Sequence, residues 1–229
     1  MRYEWLLFDA DNTLFDFDKS EAFALQRVFQ DFRIPYSEEL RDIYHRINSQ
    51  CWKAFEDGEM DKLELRFKRF EWFFEEIGKK AHPVSFSEQY LAYLSQTGYM
   101  IPGALPLLQK LHQQFQLAII TNGLKEVQRP RLRQADIYDL FEVIVVSDEI
   151  EHSKPDPAFF AYAFEQMGQP GKEKALVIGD SINSDIRGGQ QFGLDTCWYN
   201  PSEKENPGEI SPTFIIRTLS ELRQIIGMD

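Results

Sequence analysis

The hydrophobic pattern of the chain switches between two periods. Six short apolar runs recur, at 5–8, 117–120, 143–146, 175–178, 196–199 and 214–216, each bounded by polar or turn residues. Runs of this length, rich in branched and aromatic side chains, predict strands buried on both faces. Between them the spacing becomes helical. Leu105, Leu108 and Leu111 fall on one predicted face, and Phe160, Ala163, Phe164 and Met167 on another, with Gly168 placed to stop that helix. Leu219, Leu222, Ile225 and Ile226 give a last helix before Gly227. Strand alternating with helix predicts right-handed βαβ units, hence an α/β fold: a Rossmann-like parallel sheet with helices on both faces.

One stretch breaks the alternation. From Asp16 to Tyr93 no strand pattern appears, only helical periodicity, and the segment from Phe17 onward holds 16 of the 32 aromatic residues. Two readings stay open for these rings: the core of a small helical bundle, or, for a few of them, the lining of a site for a flat ring. The segment lies between the first strand and the next βα unit. It therefore reads as an inserted α-helical cap subdomain, 16–93, within a core made of 1–15 and 94–229. Hinges are expected at 15–18 and 97–103, where Gly98 and Pro102-Gly103 break helix. The stretch 200–212 carries three prolines and one glycine and reads as a long surface connection.

Composition narrows the class. With 229 residues and 43% hydrophobic content the chain can build a real core, which excludes disordered and fibrous architectures. A net charge of −12 repels polyanions, so nucleic acid and anionic membrane surfaces are poor partners. The two cysteines, Cys51 and Cys197, form no Cys-x-x-Cys pair, and His45, His82, His112 and His152 show no zinc spacing. No apolar run approaches the roughly 20 residues that span a bilayer, and residues 5–8 run straight into Asp9. A soluble, cytoplasmic protein is expected; its oligomeric state is not readable.

In open parallel sheets ligands bind beyond the carboxyl ends of the strands. The first run is followed by Asp9-Ala10-Asp11-Asn12-Thr13-Leu14, and the second by Thr121-Asn122-Gly123. The third leads through Ser147-Asp148-Glu149 to Ser153-Lys154-Pro155; the fourth ends in Gly179-Asp180-Ser181, with Asp185 five residues after Asp180. Singly, each is ordinary turn or cap chemistry. Together, if the strands are neighbours, they place Asp9, Asp11, Asp180, Asp185, Lys154, Thr121 and Asn122 on one edge. Carboxylates so crowded raise each other's pKa unless a cation intervenes. An all-oxygen donor set suits a hard ion such as Mg²⁺, which lets an acidic site accept a phosphate. Lys154, Thr121 and backbone N–H groups can hold phosphoryl oxygens, and a carboxylate can attack phosphorus.

These segments in this order resemble the four motifs of the haloacid-dehalogenase-type (HAD) phosphohydrolases, over the whole chain. The resemblance implies Asp9 as nucleophile and Asp11 as general acid/base. It implies that Thr121, Asn122 and Lys154 bind the phosphoryl group. Mg²⁺ would be held by Asp9, the backbone carbonyl of Asp11 and Asp180, with Asp185 acting directly or through water. The second aspartate, Asp11, separates phosphohydrolases from dehalogenases, which have no leaving alkoxide to protonate. The texture of residues 8–15, 119–123 and 196–200 resembles the pyrimidine 5′-nucleotidases of this superfamily, implying a nucleoside monophosphate as substrate. A sugar-phosphate phosphatase or a β-phosphoglucomutase-like phosphomutase would share the same motifs. A phospho-aspartate regulator or a nucleotide-binding module without turnover is a different class. The first would need only about half this length, and the second finds no Walker loop, because Gly188-x-x-x-x-Gly193 is followed by Leu194-Asp195.

Overall fold

The computed structural model describes residues 2–206, 208 and 210–228. In chain order the elements are β1 (Trp5–Phe8), α1 (Phe17–Asp31), α2 (Glu38–Glu56), α3 (Lys62–Glu76), α4 (Pro83–Leu94) and α5 (Ala104–Leu111). Then come β2 (Gln116–Thr121), α6 (Lys125–Gln134), β3 (Val143–Val146), α7 (Pro157–Gln166) and β4 (Ala175–Gly179). Last are α8 (Gly188–Phe192), β5 (Asp195–Tyr199), β6 (Phe214–Ile216) and α9 (Leu222–Ile226). The chain divides into two compact units, 1–17 with 98–229, and 18–97.

In the first unit the strands form one sheet of order β3-β2-β1-β4-β5-β6, every neighbouring pair parallel. All six apolar runs are strands. Side chains alternate across the sheet. Leu6, Phe8, Ile119 and Ile178 pack on one face with Leu108 and Leu111 of α5 and Leu222 and Ile226 of α9. Leu7, Ala118, Ile120 and Val177 pack on the other with Phe159, Phe160, Ala163 and Phe164 of α7. The parallel sheet covered on both faces is thus the expected one. The register levels the strand ends, because Phe8 lies opposite both Ile119 and Ile178. Residues that follow β1, β2 and β4 therefore emerge side by side.

The α5 face differs in detail from the periodicity reading. Ala104, Leu107, Leu108 and Leu111 are buried, while Leu105 is only half-buried. A series at i+3 falls about 60° short of a full circle per step, so it rotates off the face that the 3.6-residue repeat keeps. Of the predicted connection at 200–212, Pro207 and Glu209 lie outside the described residues.

The second unit consists of four helices, α1 from Asp18 onward and α2 to α4. Ser37 caps α2, Asp61 and Glu64 form a capping box on α3, and Pro83 opens α4. Its interior is a ring-on-ring core. Phe29 stacks on Phe73 at 5.6 Å, Tyr44 on Phe70 at 5.2 Å, and Phe86 meets Phe74 edge-on at 4.9 Å. Threaded through these rings is a polar chain. Arg69 donates to Asn48 Oδ1 (3.1 Å), Asn48 donates to Glu21 Oε2 (2.9 Å), and His45 Nδ1 meets Glu21 Oε1 at 3.0 Å. Among the described residues no helix is long and apolar enough to cross a membrane.

Candidate active site

The site grows from the levelled strand ends. The Asp9 N–H continues the sheet by donating to the Ile178 carbonyl (2.9 Å). The chain then turns back at once. Leu14 and Phe15 both donate to the Ala10 carbonyl (3.0 and 2.9 Å), and Asn12 occupies the left-handed region at φ 59°. Asparagine tolerates that conformation better than most residues. The tight loop keeps Asp11 within reach of the helix that follows β2.

Lys154 is the hub. Its side chain is only 1% exposed, and its three ammonium protons have three acceptors: Asp9 Oδ1 (2.7 Å), Asp185 Oδ1 (2.6 Å) and the Ile120 carbonyl (2.7 Å). Asn122 fixes its backbone in both directions, donating to the Lys154 carbonyl and accepting from the Lys154 N–H, each at 2.8 Å. The Asn122 amide is thereby engaged in placing the lysine. Asp185 is brought in by a wide helical turn at Ile182–Arg187, whose start Ser181 caps. Its second oxygen accepts from the Ser181 N–H (3.0 Å). Gly179 makes room for this carboxylate, since a Cβ there would stand 2.1 Å from Asp185 Oδ2.

Asp9, Asp180 and Asp185 each bring a carboxylate oxygen within 4.8 Å of the others. The Asp11 side chain does not join that group; it turns to Gln128 and Arg131 on α6. Thr121 is buried, its Oγ accepting from the Gly123 N–H (3.1 Å). Of the other charged residues after β3, Asp148 accepts from the Lys125 N–H and Glu149 pairs with Arg129.

The charges do not balance locally. Burial alone pulls the Lys154 ammonium down, but Asp185 and Asp9 together outweigh it and hold the lysine charged. Burial pushes Asp9 well up; Lys154 opposes this, while Asp185 and Asp180 add to it. Asp180 is pushed up to about 7, first by burial and then by Asp185, against the pull of Lys204 and Lys154. Two lysines, the buried Lys154 and the exposed Lys204 at 3.7 Å from Asp180 Oδ2, face three carboxylates, which still leaves negative charge over. A hard divalent cation with oxygen ligands fits that surplus and that donor set.

Gln128 and Arg131 stand out in no motif reading. Their only sequence signal is position, 7 and 10 residues after Thr121. The run Arg129-Pro130-Arg131-Leu132-Arg133 gives no means of telling which arginine is buried.

This strand-end constellation, on a parallel sheet with a helical insert after β1, agrees with the comparison to known proteins. The family model of the haloacid dehalogenase-like hydrolases matches residues 3–193, and the chain belongs to that family. Among its relatives is the HAD-hydrolase YfnB of Bacillus subtilis strain 168, 41% identical over 228 residues that span 100% of this chain and 97% of YfnB. The crystal structure of YfnB bound to magnesium superposes with a TM-score of 0.96 over 100% of both chains. Pyrimidine 5′-nucleotidase YjjG of Escherichia coli K12 is 35% identical over 99% of each chain. Pyrimidine 5′-nucleotidase PynA of Streptococcus pneumoniae R6 is 34% identical over 97% of this chain and 94% of its own.

Proposed function

We propose that this hydrolase is a Mg²⁺-dependent phosphatase that cleaves pyrimidine nucleoside 5′-monophosphates through an aspartyl-phosphate. The observation that carries the chemistry is the buried Lys154 ammonium, bonded at once to Asp9 and Asp185. It holds the Asp9 carboxylate in place and adds fixed positive charge where phosphoryl oxygens would lie. The substrate class rests on the names of YjjG and PynA, both related along nearly their whole length.

In this reading an Asp9 oxygen attacks phosphorus, and the bond from phosphorus to the nucleoside 5′ oxygen breaks. That oxygen takes a proton from Asp11 and leaves as the alcohol. Asp11, now a carboxylate, removes a proton from a water whose oxygen attacks the aspartyl-phosphate. The bond from phosphorus to Asp9 breaks, giving inorganic phosphate and restoring both carboxyl groups. The Thr121 hydroxyl, the Lys154 ammonium and backbone N–H groups at Asn122 steady the phosphoryl oxygens throughout. Asp9, Asp180 and the Asp11 carbonyl, with Asp185 beside them, would hold Mg²⁺, which when bound supplies positive charge against the phosphoryl group. Cys51 and Cys197, both buried and unpaired, suit a reducing compartment such as the cytoplasm.

The test is phosphate release across pyrimidine and purine monophosphates and hexose phosphates, with and without EDTA. Fastest release from pyrimidine monophosphates, lost in EDTA and restored by Mg²⁺, is the expected result. Faster release from hexose phosphates would overturn the substrate and leave the phosphatase; full activity in EDTA would overturn the cation.

A further inference from the structure

One cluster in the site has no part in the chemistry described above. Gln128 and Arg131 lie one turn apart on α6, and both are fully buried. Each oxygen of the Asp11 carboxylate has its own donor: Gln128 Nε2 at 2.5 Å from Oδ2, and Arg131 Nη1 at 2.5 Å from Oδ1. The same Gln128 nitrogen lies 3.2 Å from Thr121 Oγ1. Arg131 Nη1 also lies 3.3 Å from Gln128 Oε1, which fixes which end of the amide faces Asp11. The guanidinium itself rests 4.3 Å over the Phe15 ring.

Two consequences follow from donor and acceptor counting. A threonine hydroxyl has two acceptor lone pairs and one proton. At Thr121 the lone pairs are taken by Gly123 N–H and Gln128 Nε2, so its proton is left to donate to a phosphoryl oxygen. A carboxyl group has about four acceptor positions over its two oxygens. Gln128 and Arg131 occupy one on each oxygen, which sets the plane of the group and leaves a position on it for the proton that moves. Gly123 is fitted to this arrangement, because a Cβ there would stand 2.2 Å from Gln128 Nε2.

We propose that Gln128, oriented by Arg131, is a positioning residue that ties the Asp11 carboxylate to the Thr121 hydroxyl, so that one amide sets both the proton donor and the phosphoryl-binding group. This deepens the proposed function and rests on it. Its signature is dependence on the leaving group. A nucleoside leaves as a poor alkoxide and needs the Asp11 proton, whereas p-nitrophenolate leaves without one.

The experiment compares kcat/KM for uridine 5′-monophosphate and for p-nitrophenyl phosphate in the Mg²⁺-loaded enzyme, because kcat/KM covers the steps up to departure of the leaving group and not the later hydrolysis of the aspartyl-phosphate, which both substrates share. Gln128→Ala should lower kcat/KM on the nucleotide ~100-fold, the scale of a positioned acid/base group. The loss on p-nitrophenyl phosphate should be at least tenfold smaller, with Asp11→Asn giving the same selectivity. Gly123→Ala, which retains the glutamine but displaces its amide, should repeat the pattern and serves if Gln128→Ala does not fold. Its backbone is outside the left-handed region, so alanine adds no backbone strain and its clash is with the Gln128 side chain alone among its three nearest atoms. A difference between the two substrates below tenfold in the folded variant, including no loss on either, would overturn the inference and leave the proposed function intact. If the wild type cleaves neither ester, both fall together.

Discussion

Each unit of the protein buries a cation in a polar network, and the two networks differ in their charge balance. In the sheet unit, Lys154 binds two carboxylates directly, and a third, Asp180, stands beside them with the exposed Lys204 at 3.7 Å. In the helical unit, Arg69 touches neutral Asn48, which relays to the single carboxylate of Glu21, and His45 closes the chain toward solvent. The first network has negative charge left over and sits at strand ends. The second balances itself and is wrapped in rings, with Arg69 lying 5.2 Å over Tyr90 and 5.0 Å over Phe70. A surplus of charge at the strand ends fits the cation site proposed above. A balanced thread inside an aromatic bundle makes architecture. Buried charge alone does not mark function.

Mutations can break this distinction, beginning with the largest effect. Asp9→Asn removes the proposed nucleophile and should cut phosphate release by at least about 10³-fold. The fold should persist, as read by near-UV circular dichroism, because one charge fewer relieves an over-acidic cluster. Near-normal release would sink the nucleophile assignment. Lys154→Met leaves Asp9 and Asp185 buried without their shared cation, which should cost about 3–5 kcal/mol in urea titration. Arg69→Met should cost less, about 1–3 kcal/mol, because Asn48 and Glu21 still satisfy each other. A larger loss for Arg69→Met than for Lys154→Met would invert the comparison.

The surplus itself is open to titration with a cation. Mg²⁺ should stabilise the protein against heat, by about 2.7 kcal/mol at a hundredfold excess over Kd. Arg69→Met should keep that response and Asp180→Asn should lose most of it. The smallest effect belongs to His45. Its hydrogen bond to Glu21 raises its pKa, burial opposes, the charges of Glu21 and Asp18 add, and Arg41 opposes. A raised folded-state value means that its contribution is complete below the unfolded histidine pKa of about 6.5. That contribution fades as pH rises through the higher folded value. The gap in denaturation midpoint between wild type and His45→Asn should therefore be wider at pH 6 than at pH 8.5. An equal gap at both would show that the pair is not charged in the native state.

Much of this was legible along the chain because parallel strands announce themselves. The runs ending at Phe8, Ile120 and Ile178 are apolar on both faces, so their ends fall where Asp9, Thr121 and Asp180 begin. Lys154 and Asp185 were legible only as members of an ordered set, since neither follows a strand directly. Periodicity misplaced Leu105 because an i+3 series and an i+4 series diverge within two turns. The aromatic density of the insert could not say which rings were core. Phe29, Tyr44, Phe70, Phe73 and Phe86 are all fully buried.

The sequence by itself determined the strands, the sheet class and the residues at its edge, because these depend on local composition and on a topology with few alternatives. Tertiary structure alone decided how those residues are used. It spent the Asn122 side chain on the Lys154 backbone, placed Asp11 against Gln128 and Arg131, and set Lys154 and Lys204 against three carboxylates. These are contacts between residues up to 145 positions apart, and no local pattern encodes which donor meets which acceptor. Burial makes that choice, since inside the protein each polar group must find a partner or keep its charge uncompensated.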